Sequence, residues 1–262
     1  MLTFFIIYLF CGTLIGFLAG LLGIGGGILI IPVLLFLFKL QAIPASIAMH
    51  LAVGTSLAAV VISSASSVFA HAKKGAVLFP LVKQCAPGCV LGGIFGVLIA
   101  TQIHSVYLER IFGLFLVVAA LNILFRVEPT TTREMPRGRF LFTSSVILGI
   151  LGGLLGVGGG IFMIPFFQWC GLSMRNSIAT AAACIFSLAA VATIGYILFG
   201  LSATDLPRWS TGFLYWPAFL GISLTSAIFA PFGVRAAHAM PTHLLRKIFA
   251  LLLFLVAAKM LI

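Results

Sequence analysis

The sequence predicts an all-α polytopic membrane protein of two inverted-topology repeats, each of about five hydrophobic segments, with Gly-rich helix breaks near the midplane. Three observations carry that prediction. Of 262 residues, 62% are hydrophobic and only 7% are Asp, Glu, Lys or Arg, whereas a soluble domain carries about 25% charged residues to cover its water-facing surface. Mean hydropathy is +1.28, and at about 20 residues per spanning helix the chain has room for about ten. Finally, one stretch of text occurs twice. Residues 20–32 read GLLGIGGGILIIP and residues 153–165 read GLLGVGGGIFMIP, identical at ten of thirteen positions and 133 residues apart.

The likeness extends beyond the glycines. SIAMHLAVGTSLAAV, 46–60, matches SIATAAACIFSLAAV, 177–191, at nine of fifteen positions. Farther on, Phe95-Gly96-Val97 pairs with Phe232-Gly233-Val234, and Ile111-Phe112 with Ile248-Phe249. The order is kept while loop lengths drift, the mark of a duplicated unit. Residues 1–125 form the first membrane repeat, 126–140 (RVEPTTTREMPRGRF) a charged linker, and 141–262 the second repeat.

Gly, Pro and charge delimit the apolar runs. In the first half they are 3–22, 25–38, 43–70, 76–101 and 107–125; in the second, 141–155, 158–172, 174–200, 212–237 and 243–262. The first run lacks the basic n-region of a secretory signal and is too long for its core, so it reads as a membrane helix. Five crossings per half is odd, and the second copy therefore enters the bilayer upside down. Charge agrees. One set of loops carries Lys73, Lys74, Arg126, Arg133, Arg137, Arg139, Arg175, Arg235, Arg246 and Lys247, while the opposite set carries Lys39, Arg110, Arg208 and Lys259. The excess of cations on cytoplasmic loops then puts both termini outside and the linker in the cytoplasm. The net charge of +11 is thus read as topology, with no nucleic-acid partner.

Acids are scarce: Glu109, Glu128, Glu134 and Asp205 all sit at run edges or in loops, leaving no buried carboxylate for proton or sodium coupling. Five cysteines lie in apolar runs without CxxC spacing; they read as packed thiols, with Cys85 and Cys89 one turn apart on one face. No metal constellation, nucleotide motif or nucleophile–base pair occurs, so neither enzyme chemistry nor a cofactor is expected.

Glycines four apart, Gly12, Gly16 and Gly20, Gly88, Gly92 and Gly96, and Gly149 and Gly153, suit close helix packing. The clusters Gly23, Gly25, Gly26, Gly27 and Gly156, Gly158, Gly159, Gly160 are different, since each glycine disfavours helix by about 1 kcal/mol against Ala. They mark a break, either a tight turn at the membrane surface or a cavity-lining one. In lipid a broken helix must be buried in protein or line a watery cavity. The helix restarting after the break offers free N–H groups and a positive end to an anion, and two inverted copies bring two such starts together. Pro32 and Pro165, at matching positions, kink or end the short helices.

Polar side chains within the runs supply the remaining candidates. Ser46, Thr55 and Ser56 in the third run, and Asn176, Ser177, Thr180 and Ser187 in the eighth, either donate to an anion or bond their own helix carbonyls. His50 is either a packed neutral ring or a proton-linked group. Lys83 either snorkels or faces a pore, and Arg175 serves topology or an anion vestibule.

The doubled motif, each copy closing one helix and opening a short one that ends in Pro, resembles the sulfite exporter TauE/SafE family, and the resemblance runs over essentially the full chain. It implies a multi-pass plasma-membrane transporter for a small, sulfur-containing anion such as sulfite or a sulfonate. The carry-over is to Gly23–Gly27 with Pro32 and Gly156–Gly160 with Pro165; the Ser, Thr and Asn candidates rest on adjacency. A reactive-cysteine mechanism is not expected. The resulting expectation is export by alternating access, with a passive anion channel and a cargo-free membrane scaffold as competitors. The sequence assigns no oligomeric state.

Overall fold

The computed structural model describes residues 2–22, 27–125, 138–237 and 242–261. Among these are ten helices: α1 (Leu2–Leu22), α2 (Gly27–Leu40), α3 (Ala45–Lys73), α4 (Phe79–Gln102), α5 (Ser105–Leu124), α6 (Arg139–Leu155), α7 (Gly160–Trp169), α8 (Met174–Gly200), α9 (Trp216–Ala237) and α10 (Thr242–Leu261). They follow the ten apolar runs closely. Five of them, α3, α4, α5, α8 and the first part of α9, are long and apolar enough to cross a bilayer. The protein is an all-α polytopic membrane protein, and its outward residues fit that solvent: Phe10, Leu14, Leu114, Val118, Leu251 and Leu255 are all exposed, a surface that water would not tolerate but lipid favours.

Helix pairing crosses between the halves. The most extensive contacts are α1 with α9 and α4 with α6, followed by α3 with α8 and then, equally, α5 with α10 and α4 with α8. Exchanging the halves turns α1–α9 into α6–α4 and leaves α3–α8 and α5–α10 in place. Glycine makes the first two pairings close. A Cβ on Gly12 or Gly16 would strike Ile222, Thr225 or Ser226 of α9, and one on Gly92 would strike Val146 of α6 and stand 2.8 Å from Gly149 Cα. Such approach leaves no room for a side chain, as the four-residue spacing predicts.

One element departs from the expected runs. Residues 212–215 are not helical: Ser210–Thr211 (β1) and Leu214–Tyr215 (β2) form a small antiparallel hairpin, Ser210 opposite Tyr215, turning at Gly212 with φ 53°. Its tip, Phe213, is buried; its N–H donates to Tyr196 O at 3.2 Å and its ring stacks on His50 at 5.2 Å. Gly54 and Gly200 make room, since a Cβ on either would collide with the Phe213 backbone. Run length alone had assigned these residues to α9. The hairpin wins because α3 and α8 offer a glycine-lined slot that buries Phe213.

The prolines also behave in one definite way. Pro32 and Pro165 lie inside α2 and α7, which continue to Leu40 and Trp169, so neither proline ends its helix. Residues 126–137 of the expected linker lie outside the described residues, and Arg139 already belongs to α6.

Candidate functional site

The second glycine cluster is a helix break. α6 closes at Leu155 with Gly156 in the left-handed region (φ 71°), its N–H donating to Gly152 O at 3.1 Å. Gly158 and Gly159 follow at φ 72° and 80°, and α7 starts at Gly160. Three left-handed residues in four positions are open to glycine at no steric cost, whereas other L-residues lose about 1–2 kcal/mol at each. That is the reason the text reads GVGGG. The first bonds of α7 run from the N–H groups of Phe162 and Met163 to Gly159 O, so the N–H groups of Gly160 and Ile161 sit at its free positive end. In the first copy Gly23, Gly25 and Gly26 lie outside the described residues, and α2 begins at Gly27. Neither α2 nor α7 has an acid in its first turn.

The two copies meet. A Cβ on Gly27 would stand 3.0 Å from Val157 Cα, which places the start of α2 directly against the second break. Ser56 of α3 joins them: its Oγ donates to Gly156 O at 2.9 Å and lies 3.4 Å from Gly27 O. Fully buried, this hydroxyl serves carbonyls from both halves. Around it the break is closed by apolar side chains. Gly156 faces Ile31 of α2 and Val53 of α3, while Gly158 faces Val60 of α3 and Ile185 of α8. Gly156 through Gly160 are all buried.

The other candidates are placed elsewhere. Thr55, adjacent to Ser56, accepts the Tyr215 N–H at 3.1 Å; Thr180 accepts the Leu78 N–H at 3.3 Å. Each threonine thus ties its own half to the residue that precedes a helix of the other half. Ser177 donates to Leu172 O and Ser187 to Ala183 O one turn back. Ser46 is exposed at the start of α3, and the backbone N–H of Asn176 is capped by Ser173 Oγ. Only Ser56 of these hydroxyls bonds to the glycine breaks. His50 is buried, with Nε2 donating to Ala100 O at 3.0 Å. Lys83 is exposed on α4, and Arg175 donates to Lys74 O at 2.9 Å, bridging the ends of the two halves.

Three features escaped the sequence reading. Val53, Val60 and Ile185 close the break; their β-branched text resembles any other core. Gln41 accepts from Tyr215 and donates to Tyr8, and both tyrosines pack edge-on, a cluster whose members are far apart in sequence. Cys184 of α8 stands beside Cys85 and Cys89 of α4; the one-turn spacing of the latter pair put both on one face, but not opposite a third thiol.

Comparison with known proteins bears on what this arrangement serves. The family model described as sulfite exporter TauE/SafE matches residues 8–260. A probable membrane transporter protein of Haemophilus influenzae is 34% identical over 99% of both chains. Another, of Methanocaldococcus jannaschii, is 30% identical over 89% of this chain and 86% of its own. A sulfite exporter TauE/SafE family protein 5 of Arabidopsis thaliana is 28% identical over 41% of this chain and 23% of its own. No solved structure matches. With its doubled glycine motif, its apolar spans and a family match over nearly its whole length, the chain belongs to the sulfite exporter TauE/SafE family of membrane transporters.

Proposed function

We propose that this transporter exports a small, sulfur-containing oxyanion, sulfite or a sulfonate, across the plasma membrane by alternating access between two inverted halves. The observation that carries the reading is the meeting of the start of α2 with the second glycine break at Ser56, whose hydroxyl lies between Gly27 O and Gly156 O. α2 starts beside it and α7 starts four residues after Gly156, without an acid in either first turn. An anion arriving there meets N–H groups and partial positive charge rather than a carboxylate. The sulfur class and the direction are supported by the family's description and by the Arabidopsis relative that shares it.

The break is enclosed by Ile31, Val53, Val60 and Ile185, which supports an occluded conformation. Cargo reaches the N–H groups when α2 and α7 move against α3 and α8. The glycine-sealed pairs α1–α9 and α4–α6 are the natural rigid bodies of such a movement, because each joins helices of opposite halves over backbone contact. Both termini face outward and the linker is cytoplasmic. The orientation rests on the excess of cations in one set of loops; the division of charges into two ends is supported by the gathering of Lys39, Glu109 and Lys259 around one cavity and by the contact of Arg175 with Lys74.

The test is uptake into proteoliposomes of labelled sulfite, sulfate, thiosulfate and a sulfonate, with and without a pH gradient. Saturable exchange of sulfite or the sulfonate is expected. Linear, non-exchanging flux would make the protein a channel, and flux of none of the four would overturn the proposal.

A further inference from the structure

One cavity differs from the glycine-rich region in carrying charged side chains. It measures about 550 Å³ and opens between α1, α2, α5 and α10. Its walls are apolar, with Ile7, Val33, Phe36 and Val256, and its mouth carries Lys39, Glu109 and Lys259. Lys259 Nζ stands 4.6 Å from the centre of the Phe36 ring. Lys39 lies three residues beyond Phe36 on α2, on the same face. Both lysines occupy the last turns of their helices, where aliphatic stems run along apolar surface and charged heads reach the headgroup layer. Glu109 is half-buried at the same mouth and interacts with Lys39.

We propose that this cavity holds one anionic phospholipid, its phosphate between Lys39 and Lys259 and an acyl chain along Phe36 and Val33. Charge complementarity selects the headgroup. Two lysines against one carboxylate leave a single positive charge at the mouth, matching the one negative charge of phosphatidylglycerol and leaving zwitterionic phosphatidylcholine unmatched. The apolar walls select a lipid over a free anion, since inorganic phosphate gains nothing from Phe36 and Val33. The half-exposed Phe36 ring, 51% accessible, faces the space that the chain fills.

The test uses the purified full-length chain in detergent, titrated with dioleoyl phosphatidylglycerol, dioleoyl phosphatidylcholine or inorganic phosphate, with bound molecules counted by native mass spectrometry. Each lysine near an anionic headgroup strengthens binding about fivefold, and Glu109 offsets part of that, so one phosphatidylglycerol is retained on the order of tenfold better than phosphatidylcholine. Inorganic phosphate leaves the spectrum unchanged. The double variant Lys39→Gln/Lys259→Gln brings the two lipids to parity, Lys39→Arg/Lys259→Arg keeps the preference, and Lys74→Gln, at the opposite end, keeps it as well. Equal retention of both lipids by the native chain, an undiminished preference in the Gln double variant, or a dimer that retains no lipid would each overturn the proposal.

Discussion

At the scale of single residues, Ser56 and Gly156 concentrate the geometry. Ser56→Ala removes the side-chain donor to Gly156 O in a buried setting, and a loss of about 1–3 kcal/mol is expected, read as a lower thermal midpoint in detergent. Gly156→Ala combines a left-handed backbone, about 1–2 kcal/mol, with a methyl 2.8 Å from both Ile31 Cδ1 and Val53 Cγ1, adding about 1–3 kcal/mol of overpacking. Gly75 has φ 63° and open space around its Cβ position, so Gly75→Ala loses only the backbone part. Equal midpoints for the two glycine variants would contradict the packing described. His50 invites a third measurement: Nε2 is already committed to Ala100 O and the ring is stacked on Phe213, as expected of a packing residue. His50→Gln is predicted to leave the pH dependence of transport unchanged, and its loss would restore the proton-linked role. Much at this scale was legible. Repetition identified Gly156–Gly160 and Gly27, and adjacency reached Ser56. What the text does not carry is a hydrogen bond between residues 100 apart in the chain, which exists only because α3 packs against the break at Gly156.

Among the elements, boundaries follow composition because lipid penalises every unpaired backbone group, so a helix extends as far as its apolar text. The ten runs therefore anticipated the ten helices within a few residues. Gly88, Gly92 and Gly96 likewise anticipated a close partner, though not its identity as α6. A direct check contrasts neighbours on α4. In Gly92→Ala the methyl meets backbone of α6 on three sides, whereas in Gly93→Ala the nearest atom is Leu188 O at 3.3 Å. The first is expected to destabilise by about 1–3 kcal/mol through overpacking. The second is offset by the better helix propensity of Ala, about 1 kcal/mol, and should lie near neutral. The hairpin at 210–215 was not legible. Its stability comes from Phe213 filling a slot made by Gly54 and Gly200, with Gly212 turning close against Ile197, a tertiary fit that overrides the apolar run.

Across the whole molecule, the few charges define two ends. Lys39, Glu109 and Lys259 share one cavity, and Arg175 reaches Lys74, the same partition that loop parity assigns. An impermeant maleimide applied to intact cells is predicted to label Lys39→Cys but not Lys74→Cys, and the reverse pattern would invert the orientation. The pairing of helices across halves was anticipated only in outline, since duplication says that two copies exist and not which faces they share. The claim on which the account turns is that cargo passes at the glycine break between α6 and α7, against which α2 starts, and Gly159 tests it most directly. Its Cβ position has no neighbour nearer than 3.4 Å, so a Cβ there meets only ordinary contacts, and the rest of a side chain occupies the space beside the start of α7. Sulfite counterflow into proteoliposomes should fall by at least about tenfold in Gly159→Leu, a transition-state difference of about 1.4 kcal/mol or more, while Gly75→Ala, with the same left-handed strain outside the site, keeps the native rate. Equal counterflow in the native protein and in a folded Gly159→Leu variant would contradict it.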